Sequence, residues 1–232
     1  MKADDPKAFA ATRWTLVKRA SGKSTEARDA LAELCAASYE PVRAFIRTWC
    51  RDNGRADDLT QDFFAEILGH RGVAGADPER GKFRTFLLGA VKHFLSRVRE
   101  KERARKRGGG QTPEPIDAAH DIEDSCLPPD AAFDRQWALA LIARTLQSLD
   151  AHAAREGKTA QFAVLRDWLS GEASKPQSAA AAELGMTEAA VKVAVHRWRL
   201  RFRSELRREL EATLDSSESA DAELRHLLAS LS

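Results

Sequence analysis

The chain has 232 residues, 43% of them hydrophobic and 31% charged, with a formal net charge of +2. That is a globular composition, sufficient for one large domain or two small ones with a core each. Cysteines at positions 35, 50 and 126 form no CxxC pair and fit a reduced compartment better than a disulfide framework; no stretch approaches the ~20 apolar residues of a membrane span and no secretory leader pattern opens the sequence, so a cytoplasmic protein is expected.

Taken in chain order, the periodicity is helical nearly throughout. Leu31, Leu34, Cys35, Ser38, Val42, Phe45, Ile46 and Trp49 fall close to one stripe, which Pro41 is expected to kink or split in two. Leu59, Phe63 and Ile67 line a second helix. Opposite them stand Asp58, Gln61, Asp62 and Glu66 at i, i+3, i+4 and i+8, an acidic face that is either solvated or complementary to a basic partner.

The segment from His70 to Gly81 contains Gly72, Gly75, Gly81 and Pro78 and reads as a loop. After it, Phe83, Phe86, Leu87, Ala90, Val91, Phe94, Leu95 and Val98 line a third helix, their spacing assigning these phenylalanines to the core. The same helix is strongly basic: from Lys92 to Arg107 eight Lys or Arg residues face two acids, Glu100 and Glu102.

Between Gln111 and Asp134 the charge reverses, with seven acids and no Lys or Arg. Gly108, Gly109 and Gly110 open this stretch, while Pro113, Pro115, Pro128 and Pro129 keep it extended, so an acidic linker and a domain boundary are placed here. Beyond it, Phe133, Trp137, Leu141, Ile142, Leu146 and Leu149 form another amphipathic pattern, and Phe162, Val164, Leu165, Trp168 and Leu169 a further one.

Residues 178–206 have the layout of two helices joined by a tight turn. Ala180, Ala181 and Leu184 pack the first, Gly185 supplies a left-handed residue to end it, and Thr187 is placed to cap the next. Val191, Val195, Trp198, Phe202 and Leu206 then share one face, and Lys192, His196, Arg199 and Arg203 another. From Lys192 to Arg208 there are seven Lys or Arg residues against the single acid Glu205, an asymmetry that solubility alone does not demand. In a helix-turn-helix DNA reader the first turns of the second helix enter the major groove. That nominates Glu188, Ala189, Lys192 and His196 as base-edge candidates, with Arg197, Arg199, Arg201 and Arg203 as phosphate contacts. Leu224, Leu227, Leu228 and Leu231 in the acidic tail again have helical spacing and are expected to cap the second domain or bind a regulator.

The fold expected is therefore all-α, two small helical domains joined by a Pro/Gly-rich acidic linker. The domains are placed at residues 1–107 and 132–210, with the linker at 108–131 and a tail at 211–232. The six histidines lack HExxH spacing, and there is no P-loop, GxSxG or Cys-rich zinc pattern. No catalytic residue, metal site or cofactor is predicted, and the chain is not expected to be an enzyme.

DDLTQDFF at 57–64, then KFRTFLLGAVKHFLSRVREKERARKR at 82–107, a linker, and a C-terminal reader ending VKVAVHRWRLRFRSEL resemble, in that order, the extracytoplasmic-function group of sigma-70-type RNA polymerase sigma factors. The resemblance covers roughly residues 25–107 and 132–210. It implies that the acidic helix, with Asp57, Asp58, Gln61, Asp62 and Glu66, docks on the coiled coil of the polymerase β′ subunit. It implies that Arg80, Lys82, Arg84, Lys92 and Arg97 serve the promoter element nearest the start site (the −10 element), where a non-template strand is held through phosphates and unstacked bases. The loop at 70–81 would form the pocket for an everted base. The C-terminal reader would bind the upstream (−35) element as duplex, and the linker would thread across core polymerase, including its β subunit, toward the RNA path. Family members commonly carry an asparagine and then an acid between Lys92 and Arg97, where this chain has His93 and Ser96.

Further partners implied are an anti-sigma protein or a kinase, and the location implied is the cytoplasm, at the nucleoid when in holoenzyme. The stretch Asp150–Gln161 is longer than the short Leu-Pro turn of many relatives. The competing reading is a dimeric helix-turn-helix regulator that never joins polymerase; it leaves the acidic helix and the second basic platform without a role.

Overall fold

Pro41, expected to kink the first helix or split it in two, lies inside a single 26-residue helix, α1 (Thr25–Cys50), which it does not split. Its missing N–H deprives the Ala37 carbonyl of a donor, yet Val42, Phe45 and Ile46 just beyond it are almost wholly buried, and their packing holds the helix through the proline. The structure, a computed structural model, describes residues 25–50, 52–68, 82–108, 127–170, 175–211, 213–214 and 219–231. The base-pocket loop at 70–81, Arg80, residues 109–126 of the acidic linker and the first 24 residues lie outside the described residues.

After α1 come α2 (Asn53–Glu66), α3 (Phe83–Gly108), α4 (Pro129–Arg155), α5 (Thr159–Leu165), α6 (Asp167–Ser170), α7 (Gln177–Leu184), α8 (Glu188–Glu211) and α9 (Ala220–Ala229). Among the described residues there is no strand, so the fold is all-α as the periodicity requires. Asp52 caps α2 by accepting from the Arg55 N–H at 3.1 Å. Helix α4 begins within the stretch read as linker. Pro129 suits a first helical position, where no N–H is needed, and Asp130 in the first turn faces the positive end of the helix dipole.

The helix read across Phe162–Leu169 is divided at Arg166 into α5 and α6. The stretch Asp150–Gln161, read as a loop, is mostly helical: α4 runs on to Arg155, and a turn through Gly157, with φ of 66°, leads into α5. Only glycine takes that left-handed backbone without strain.

Two apolar clusters organise these helices. One joins α1, α2 and α3 to the first half of α4, the end of α8 and α9; it contains Val42, Phe63, Phe83, Leu95, Trp137, Leu210 and Leu227. Rings tie its layers together, Phe63 to Phe94 with centroids 5.6 Å apart and Phe83 to Trp137 at 6.3 Å. Cys35 packs against this cluster, and burial pushes its thiol up to about 11, which suits a core role.

The second cluster contains Leu149, Phe162, Leu165, Trp168, Ala180, Val191, Val195 and Trp198. Helices α4 and α8 thus belong to both, α4 in its first half and α8 in its last turns serving the first cluster. The apolar packing does not divide at residues 108–131. Arg144 of α4 lies 3.6 Å from Glu209 of α8 between the two, and burial lowers its affinity for the proton although Glu209 works against that.

Candidate nucleic-acid and polymerase interface

Helix α2 turns Leu59, Phe63 and Phe64 inward and leaves Asp58, Gln61 and Asp62 exposed. The i, i+3, i+4 arithmetic therefore holds for three of the five residues nominated for docking. The other two have partners within the chain. Asp57 accepts from Arg43 of α1 at 2.6 Å, and that hydrogen bond, reinforced by Arg43's charge, holds its carboxyl below the ordinary carboxylate range. Glu66 accepts from Arg97 of α3 at 2.6 Å. Phe64 was not recognised as a core residue from the sequence; it stacks with Tyr39 of α1 at 5.7 Å.

Helix α3 buries Phe83, Leu87, Val91, Phe94 and Leu95, while Phe86, Ala90 and Val98 of the same stripe are half-buried against the cluster. Its basic candidates are not uniformly presented. Lys92 and Arg97 lie toward solvent but each meets an acid, Lys92 meeting Asp130 of α4 at 2.7 Å. Arg84 is buried, with a side chain 9% exposed; it donates through Nε to Glu223 of α9 at 2.9 Å and also pairs with Asp134 of α4. Lys82 lies 2.7 Å from the second oxygen of Glu223. Sequence reasoning missed these acids because their partners are remote; Arg84 and Glu223 are 139 positions apart.

Burial alone would raise the proton affinity of Glu223, but the hydrogen bonds and charges of Lys82 and Arg84 outweigh it and hold the carboxyl below its ordinary value. His226, on the same helix, completes the set at 2.9 Å from Asp134.

The C-terminal pair of helices has the turn chemistry read from the sequence. Gly185 ends α7 with φ of 62°, and Thr187 Oγ1 accepts from the Ala190 N–H at 3.2 Å to cap α8. Val191, Val195 and Trp198 are buried, whereas Glu188, Ala189, Lys192, His196, Arg197, Arg199 and Arg203 are all exposed, so every residue nominated for duplex DNA stands on the outer side. Two arginines have internal partners: Arg199 donates to the Trp168 carbonyl at 3.1 Å, and Arg201 lies 3.3 Å from Glu156 and 5.6 Å from the Trp198 ring.

Beside the base-edge candidates runs an open groove of about 940 Å³ lined by Met186, Ala189, Val193, Arg197 and Leu200. Val193 and Leu200 are exposed apolar residues that the helical stripe did not flag.

Residues 34–105, from within α1 through almost all of α3, match the family model described as Sigma-70 region 2. The match supports membership of the sigma-70 family. No curated protein and no solved structure matches the chain. A Sigma-70 region 2 implies, for the stretch it matches, interaction with core RNA polymerase and promoter DNA. The matched stretch contains both the acidic face of α2 and the basic face of α3. No helix among the described residues is long and apolar enough to cross a membrane.

Proposed function

We propose that this chain is a sigma factor of the extracytoplasmic-function type, a promoter-specificity subunit acting in the cytoplasm. It joins core polymerase through α2, serves the −10 element through α3 and reads the −35 element with α8. The reading is carried by one observation: a Sigma-70 region 2 match over residues 34–105 is followed, later in the same chain, by a glycine-ended helix, a capped turn and a basic helix with its polar side exposed.

On this reading Asp58, Gln61 and Asp62 meet a basic surface of the β′ subunit, where complementary charge steers association and sets register. Lys192 and His196 reach base edges, Arg197 and Arg203 hold phosphates, and the linker passes across the polymerase. An anti-sigma protein or kinase is the class of regulator to seek. Run-off transcription with bacterial core enzyme on a promoter library tests the assignment, the expected result being initiation only when the chain is added and only on a subset sharing two spaced elements. Protection of a palindromic duplex without core enzyme would instead favour the dimeric regulator.

A further inference from the structure

Four of the cations nominated for the −10 strand meet carboxylates of the same chain, Arg97 meeting Glu66 of α2 and the other three meeting acids of α4 and α9. Lys82 and Arg84 meet Glu223, Arg84 also meets Asp134, and Lys92 meets Asp130. Glu223 is only 3% exposed, so the first turn of α3 is covered as well as neutralised. The residues after α8 add a backbone contact at the same place, the Phe83 N–H donating to the Thr213 carbonyl at 3.3 Å. Such a donor at a helix N-terminus is otherwise open to an anion. Leu227, 1% exposed, pins α9 in the shared apolar cluster.

Leucines alone would suffice to cap the bundle, and a buried ion pair adds little net stability over an apolar one. Glu223 instead stands where a backbone phosphate would have to stand to reach Lys82 and Arg84. We propose that α9 and the first turn of α4 form an intramolecular stand-in for the nucleic-acid strand, covering the first turn of α3 and pairing Lys92 beyond it until polymerase engagement draws α9 away. The inference rests on the sigma-factor reading and adds to it a mode of self-restraint.

The test uses the full chain and its E223Q variant, which keeps side-chain shape and removes the charge. Fluorescence anisotropy with a labelled single-stranded oligonucleotide is expected to show E223Q binding about tenfold tighter, the scale of one charge-assisted contact transferred to phosphate. Hydrogen exchange of the parent chain is expected to show residues 220–229 losing protection when core polymerase and promoter DNA are added together. An E223Q that keeps the parent's helical circular dichroism and binds no tighter overturns the inference. Should E223Q fail to fold, the exchange arm decides, and protection unchanged in the promoter complex overturns it. Coelution with core polymerase is scored separately: its absence sinks the sigma-factor reading itself, whereas coelution with either negative result removes the self-restraint alone.

Discussion

The indole N–H of Trp198 on α8 donates to the side-chain oxygen of Gln161 on α5, 3.3 Å away. Trp198 is buried, and Phe162 packs beside it with ring centroids 4.9 Å apart, so this bond fixes α8 against the short helices that precede it. Removing the acceptor leaves a buried donor without a partner. Gln161→Ala is therefore expected to destabilise the chain by about 1–3 kcal/mol, read as a lower urea midpoint at unchanged slope. An unchanged midpoint would show that the indole finds another acceptor.

Glu156, in the turn before α5, gathers Lys158 at 2.7 Å, His152 at 2.7 Å and Arg201 at 3.3 Å. The Lys158 hydrogen bond, opposed by desolvation and aided by the charges of Arg201, His152 and Lys158, holds its carboxyl down to about 2, against an ordinary value of 4.5. A folded-state value below the unfolded one means stability that is present above pH 4.5 and is lost as pH falls from there toward 2. The difference in Tm between the parent and Glu156→Gln is expected to be constant at neutral pH and to vanish toward pH 2. It should also shrink in high salt, because the cluster is solvent-exposed. A difference that persists at pH 2 would trace the effect to packing.

Much of this architecture was legible because local periodicity carried it. The stripes of α2, α3 and α8 place Leu59, Phe63, Phe83, Leu87, Val91, Val195 and Trp198 inside as their spacing requires, and the turn signals at Gly185 and Thr187 are borne out in backbone angle and hydrogen bond. What the sequence hid were pairings between distant segments. Asp130 and Asp134 were counted as linker acids, yet they belong to α4 and face Lys92 and Arg84. Nothing near Glu223 signals its two cationic partners, because they sit more than a hundred positions away. The split that Pro41 allowed did not follow for a related reason, since the backbone cost was local and readable whereas the compensating burial of Val42, Phe45 and Ile46 is tertiary.

Gly185 isolates a backbone effect from a packing effect. A Cβ built there meets nothing within 4 Å, so Gly185→Ala is expected to cost only the left-handed conformation, about 1–2 kcal/mol. Gly185→Asn should cost less, because asparagine tolerates that region. Thermal melts of both variants check the order. A loss far above this range would mean that the turn is displaced, and affinity for upstream duplex should then fall with it.

Asp58 and Asp62 are exposed on α2, so reversing their charge leaves the apolar face intact. Asp58→Arg with Asp62→Arg is expected to lower affinity for core polymerase at least tenfold, with a steep salt dependence in the parent that flattens in the variant. The melting temperature should stay close to that of the parent. Normal holoenzyme formation by the double variant, measured by size-exclusion chromatography, would remove α2 from the docking surface.

Lys192 and Arg203 stand three turns apart on the exposed side of α8, and the two positions should differ in kind. Near the start of the helix a side chain reaches base edges, whereas further along it meets the sugar–phosphate backbone. Lys192→Ala is expected to change base preference in the upstream element, costing about 1–3 kcal/mol on the preferred sequence and little on others. Arg203→Ala is expected to weaken all duplexes alike and to reduce the log–log salt slope by about 0.9, the signature of one lost phosphate contact. Titrations of both variants against preferred and scrambled duplexes at several salt concentrations separate the roles. An equal loss on every duplex for Lys192→Ala would move it to the phosphate class and shift base reading toward Ala189, Val193 and the groove they line.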